Sequence, residues 1–421
     1  MIRLAHLLSL VTIFSASSYH QHADDAPVQL IVDTDLGFDV DDVGAIAVAN
    51  YLQDLGKCEI LAVIHCTGFY KGIGGADVIN THYNRTVPYM GAYRGPWGGP
   101  DAQSAQDKYT STIESRYPSH VKNYDQVDDE VTAYRKALTS AANNSVVIAS
   151  IGEPLALRNI LKAEPELFAA KVKEIYYMDG GYNFGCGDSK GSGTSPWIGS
   201  TKDCDGAAQY VINNVPRHIV QYFTLNGEDE RTGSRFQDGC GKGPVKDAYQ
   251  IYTNYGTRPS WDLIAVYFAV VGAESLFSKA NAETTKVGYF GNETYDYSNT
   301  SSNMYQVWID GSHTGDVVYM LDNILCTDPC VGGPTTGGCA GYTPHASHNC
   351  WAGHGADDID GQAPCGTMSL AACEAKCDAT QGCGGVVTQA ASEGLVDCYR
   401  KSNVVIGNCD WAPEFNFYLK N

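Results

Sequence analysis

Apolar and polar positions change period repeatedly along residues 27–325. Short runs rich in Val, Ile and Tyr have the length and composition of buried strands: "VQLIVDTD" from Val28, "EILAVIHCTG" from Glu59, "SVVIASIG" from Ser145, "KEIYYMDGG" from Lys173 and "HIVQYFT" from His218. Longer helix-like stretches lie between them: "DDVGAIAVANYLQDL" from Asp41, "DEVTAYRKALTSA" from Asp129 and "EPLALRNILKAEPELFAAK" from Glu153. This alternation predicts an α/β domain with a mostly parallel sheet flanked by helices. Ligands of such sheets bind outside the carboxyl ends of the strands. Those ends carry the chemistry here, in the DTD of the first run, the Thr67-Gly68 turn, Gly152 and the MDGG stretch.

The alternation stops near Cys326. Residues 326–348 are rich in Gly, Pro and Thr and read as a linker, and residues 349–421 read as a small disulfide-rich α+β module. Ten of the fifteen cysteines fall between Cys326 and Cys409. The first eighteen residues, "MIRLAHLLSLVTIFSASS", have the basic start, apolar centre and small-residue end of a signal peptide. Export, and a secreted protein, is therefore the expectation, and it favours disulfides over zinc for the clustered cysteines. A helix carrying Cys373 and Cys377 at i and i+4 presents both sulfurs on one face, able to pin it to strands. Cys58 and Cys66 bracket a strand that spans roughly 26 Å, so they cannot bridge each other and one is expected as a free thiol. Cys186 and Cys204 flank a Gly/Ser-rich excursion that their pairing would staple. Asn84, Asn143, Asn292 and Asn299 begin glycosylation sequons.

A net charge of −20, without basic stripes, argues against nucleic-acid polymers as partners and suits cation binding. No segment after the leader has the apolar length of a membrane span. Five aspartates fall within Asp33–Asp42, behind a strand and ahead of a helix. Asp33 and Asp35 stand at the strand's end, Gly37 permits a sharp turn, and Asp41 and Asp42 open the helix, whose positive end favours carboxylates. Carboxylates gathered by a tight turn form a site for a hard cation, best matched by Ca²⁺, with Mg²⁺ second.

The stretch "DTDLGFDVDD" resembles the N-terminal signature of the nucleoside hydrolases, the Ca²⁺-dependent nucleoside N-ribohydrolases. "SIGEPLALRNILKAEPEL", "YYMDGGYNFG" and "SWDLIAVYFAV" are similar to three later stretches of that family, in the same order, so the likeness covers residues 27–325. It implies a Rossmann-like nucleoside hydrolase fold and hydrolysis of nucleosides to ribose and free base. Asp35 would be calcium ligand and general base, with Asp42, Asp262 and the backbone carbonyl of Ile151 as further ligands. Asp41, Asn183 and Asp262 would contact the ribose. Trp261 replaces the histidine that protonates the departing base in many members, and its ring implies a purine preference. Gly199 and Thr201 stand near the expected places of an acidic residue and an asparagine, and Leu155-Ala156 replaces Thr-Asn. The tail resembles the PAN/apple modules, which bind proteins or glycans. Three functions are compatible with these residues: a secreted nucleoside hydrolase, a non-catalytic nucleoside or ribose binder, and an adhesion protein acting through its tail.

Overall fold

Both faces of the strand β1 (Val28–Thr34) are covered. Leu30 and Val32 enter one apolar core and Ile31 the other, which is why the run is continuously apolar instead of alternating. The computed structural model describes residues 26–95, 107–178, 206–224, 227–272, 277–281, 283–287, 293–299, 301–309, 311–327, 342–368, 370–389 and 396–420.

The large sheet also contains β2 (Cys58–His65), β3 (Tyr89–Ala92), β4 (Asp128–Asp129), β5 (Val146–Ser150), β6 (Val172–Tyr177) and β7 (Val220–Thr224). A short ribbon, β8 (Arg231–Thr232) with β9 (Arg258–Pro259), follows, then β10 (Phe277–Asn281), a hairpin β11 (Glu283–Val287) and β12 (Glu293–Asp296), and β13 (Met304–Ile309). The nine-stranded order is β10-β13-β7-β6-β5-β1-β2-β3-β4, and β10–β13 is its one antiparallel pairing. The chain leaves β1 toward β2 and β3 and later resumes on its other side with β5. Strand order therefore reverses between β1 and β5, and a crevice is expected at their carboxyl ends.

One face is covered by α1 (Asp41–Asp54), α2 (Gly72–His82) and α3 (Thr110–Arg116). The other carries α4 (Glu130–Ser140), α5 (Leu155–Ala163), α6 (Pro165–Lys171) and α7 (Ala207–Asn214). The first face is completed by α8 (Pro244–Thr253), α9 (Trp261–Val271) and α10 (Thr314–Cys326). The stretch from Glu153 to Lys171, read as one helical run, is two helices because Pro165 lacks the N–H that would continue the first.

The tail forms a second sheet of six strands, β14 (Tyr342–Asn349), β15 (Trp351–Ala352), β16 (Gly355–Asp358), β18 (Gly385–Gln389), β20 (Tyr399–Ser402) and β21 (Asp410–Lys420), beside a pair β17 (Thr367–Met368) and β19 (Val396–Asp397). The helix α11 (Leu370–Asp378) is pinned as its cysteine spacing predicts, through Cys373–Cys398 and Cys377–Cys383, and Cys350–Cys409 closes the other end. Cys240 pairs with Cys326 at the end of α10, so Cys326 belongs to the large domain. β14 pairs with β21, which takes residues 342–348 out of the linker assigned from composition. Cys58 and Cys66 are both free and buried, and Cys365 is a third free thiol among the described residues. Cys186 and Cys204 lie outside the described residues. No helix among the described residues is long and apolar enough to cross a membrane.

Candidate metal and catalytic site

The crevice between β1 and β5 is where the aspartates gather. The Ile151 amide donates to the Asp33 carbonyl at 2.8 Å, holding the two strand ends together. Gly37 turns the chain immediately beyond β1 with a φ of 132°, a conformation open to glycine. Gly152 makes the second demand: a Cβ there would lie 2.6 Å from Cys66 Sγ and 2.7 Å from the Asp35 amide nitrogen. Only a hydrogen at that position lets β5 approach the Asp35 backbone.

Asp41 and Asp42 form the first turn of α1, and Asp262 lies in the first turn of α9. All three are buried, and each offers a carboxylate oxygen within 4.8 Å of the others. Two helix N-termini thus aim at one acidic point, which partly offsets the repulsion. Thr34 donates its hydroxyl to Asp42 Oδ1, and the Asp262 amide donates to Asp41 Oδ2 at 3.5 Å. Asp42 Oδ2 and Asp262 Oδ1 are buried with no hydrogen-bond partner. Orphaned carboxylate oxygens of this kind fit a hard divalent cation, which needs an all-oxygen shell.

The electrostatics agree. Burial, followed by the Asp41, Asp42 and Asp35 carboxylates, holds Asp262 well above the usual carboxylate range. Burial and then Asp42 do the same to Asp41. Asp42 is pushed up to about 7 by burial, against the help of Thr34. Asp35 is also held well above the usual range, by burial first and then by the Glu153 and Asp42 carboxylates. A cation among them would reverse all four shifts.

Asp35 stands apart from the buried trio. The residue is partly exposed, and its carboxyl feels those of Glu153 and Asp42. Asp33, its neighbour at the strand end in the sequence reading, faces elsewhere and accepts from the Tyr134 hydroxyl at 2.6 Å. Ile151 is buried at the end of β5 beside Asp33. Asp41, which the family likeness gives to ribose, stands inside the metal-capable trio, whereas Asp35 does not. Trp261 opens α9 and is partly exposed. Asn183 lies outside the described residues.

Two side chains at the site escaped the sequence reading. Glu153 sits inside the quoted "SIGEPL" stretch, where a charge directly after a strand-end glycine was the available signal. Arg258 comes from β9, is paired with Asp39 and lies over the Trp261 ring, and no motif marks it.

Solved structures share this chain path. An inosine-guanosine nucleoside hydrolase matches with a TM-score of 0.50 at 17% identity, over 70% of this chain and 98% of its own. A plant nucleoside hydrolase matches at 0.50 and 16%, over 72% of this chain and 99% of its own. The large domain has the nucleoside hydrolase fold. The type III effector protein XopQ, solved with adenosine diphosphate ribose, matches at 0.52 and 14%, over 72% of this chain and 95% of its own. No family model and no curated protein matches the chain.

Proposed function

We propose that the protein is an exported, calcium-dependent hydrolase that cleaves the N-glycosidic bond of nucleosides. The observation that carries this reading is the trio Asp41, Asp42 and Asp262, with two orphaned oxygens, at the switch point of a nucleoside hydrolase fold. Asp42, Asp262, Asp41 or Asp35 and the Ile151 carbonyl are the groups that would hold Ca²⁺. Calcium, when bound, supplies the charge that lets these carboxylates ionise together and orients water and ribose hydroxyls.

In this reading Asp35, the partly exposed carboxylate, takes a proton from the attacking water as its oxygen bonds to C1′. The C1′–N bond breaks with its electron pair going to the base. The sugar passes through an oxocarbenium-like state, and the surrounding carboxylates stabilise its positive charge. Asp41 and Asp262 accept hydrogen bonds from ribose hydroxyls, with Asn183 a further contact. Purine preference rests on Trp261, whose ring is partly exposed beside Asp262.

A second reading, a non-catalytic nucleoside or ribose binder, is favoured by α5. Leu155 and Ala156 stand where the family pattern has polar sugar contacts, and both are fully buried. The tail, read as an apple-like module, would tether either form to a protein or glycan.

One experiment separates the readings. Purified protein is incubated with a nucleoside panel, with and without chelator, while free ribose and melting temperature are followed. The hydrolase reading expects ribose release that chelation abolishes, and a calcium-dependent stabilisation of about 2.7 kcal/mol at a hundredfold excess over Kd. Nucleoside binding without ribose release would establish the second reading, and neither binding nor release would remove both.

A further inference from the structure

Breaking an N-glycosidic bond makes demands at the base end as well as at the sugar, because the departing nitrogen carries away the bonding pair. Trp261 occupies the position before Asp262, and its indole N–H can donate a hydrogen bond but cannot transfer its proton as an acid. A fixed cation lies against its ring instead. The Arg258 guanidinium is 4.6 Å from the Trp261 ring centroid and 5.5 Å from that of Tyr252. With two rings against it, the guanidinium addresses a ligand along its N–H edge. Nη2 is bonded to Asp39, while Nε is buried with no acceptor. The side chain is 24% exposed, and its charge acts on Asp262. A partly exposed cation, with one N–H still lacking an acceptor, therefore stands beside both the aromatic ring and a metal-capable aspartate.

We propose that Arg258 is the leaving-group residue of this site, the exposed part of its guanidinium facing the departing base and its charge stabilising the anion as the bond breaks. The inference rests on the hydrolase reading. The step balances without an enzyme acid: the C1′–N pair goes to the base, water supplies the new C1′–O bond, and Asp35 takes the water's proton. The base leaves as an anion hydrogen-bonded to Arg258 and gains its proton from solvent, since arginine stays charged throughout. A phosphate is the weaker candidate for this donor, because Asp39 already offsets the charge and four aspartates nearby would repel a dianion.

The test compares Arg258→Gln and Arg258→Lys with wild type on inosine, uridine and p-nitrophenyl β-ribofuranoside, whose leaving group departs as a stable anion. Arg258→Gln should lower kcat/KM about 100-fold on the two nucleosides and about fivefold or less on the nitrophenyl substrate. Arg258→Lys should recover part of the nucleoside loss, and calcium should raise the melting temperature of both variants as it does wild type. Equal losses on all three substrates would overturn the proposal, giving Arg258 a packing role. A loss seen only when inosine 5′-monophosphate is supplied in place of inosine would give it to a phosphate instead and equally overturn it. Wild-type protein that hydrolyses none of them would sink the hydrolase reading and this inference with it.

Discussion

Asp35 keeps some exposed surface where Asp41, Asp42 and Asp262 keep almost none, and although protein crowds its carboxyl, a path to solvent is what a proton acceptor needs. The buried three can hold a cation but have little route to pass a proton onward. Asp35→Asn keeps the size and loses the basicity, so ribose release should fall by ~10²–10⁴ while nucleoside binding holds within about tenfold. Single-turnover ribose assays and equilibrium binding check this, and a variant turning over at the wild-type rate would take the base role from Asp35. Asp33–Asp42 was legible because five carboxylates lie within one strand, turn and helix start. Asp262 was legible only through the resemblance of its helix start. Arg258 carried no signal, since its position depends on a two-residue ribbon and on the packing of Trp261 and Tyr252.

At the scale of elements, the site exists because β1 and β5 are neighbours and two helices begin above them. The approach of β5 to the Asp35 backbone is the tightest constraint. Gly152→Ala would place a methyl against both the Cys66 sulfur and a backbone nitrogen, and backbone cannot swing aside as a side-chain tip can. A loss of about 1–3 kcal/mol is expected, with reduced calcium stabilisation, because the strand ends must separate. Chemical denaturation with and without calcium measures both, and unchanged values would mean that the crevice is more pliable than its packing suggests. The main strands were readable because burial on both faces leaves an apolar run. β4, β8 and β9 were not, because two residues have no period. β14 was hidden for another reason: "YTPHASHN" looks like linker, and it becomes a strand only by pairing with β21 at the sheet edge, where a proline is tolerated.

At the scale of the whole molecule, the tail is joined to the large domain by contact as well as by chain. Trp411 of β21 packs against the large core, and His345 of β14 feels the charge of Lys57, which follows α1. Burial comes first, then His348 and Lys57, in pulling His345 down to about 4 from an ordinary value of 6.5. The folded state therefore favours the neutral ring. Its stabilising contribution is complete above pH 6.5 and is lost as pH falls through the window from 6.5 to 4, where the unfolded chain binds the proton more readily. Acidification to pH 5 should weaken the joined structure by ~1–2 kcal/mol through this residue. His345→Gln, which cannot charge, should melt with a smaller difference between pH 7.5 and pH 5 than wild type. The loss should register first in the tail, as faster amide exchange in β14 and β21, while ribose release at fixed calcium stays tied to the distant crevice. If the variant and wild type lose stability equally on acidification, the proton is taken up elsewhere and His345 is only a packed ring at the join.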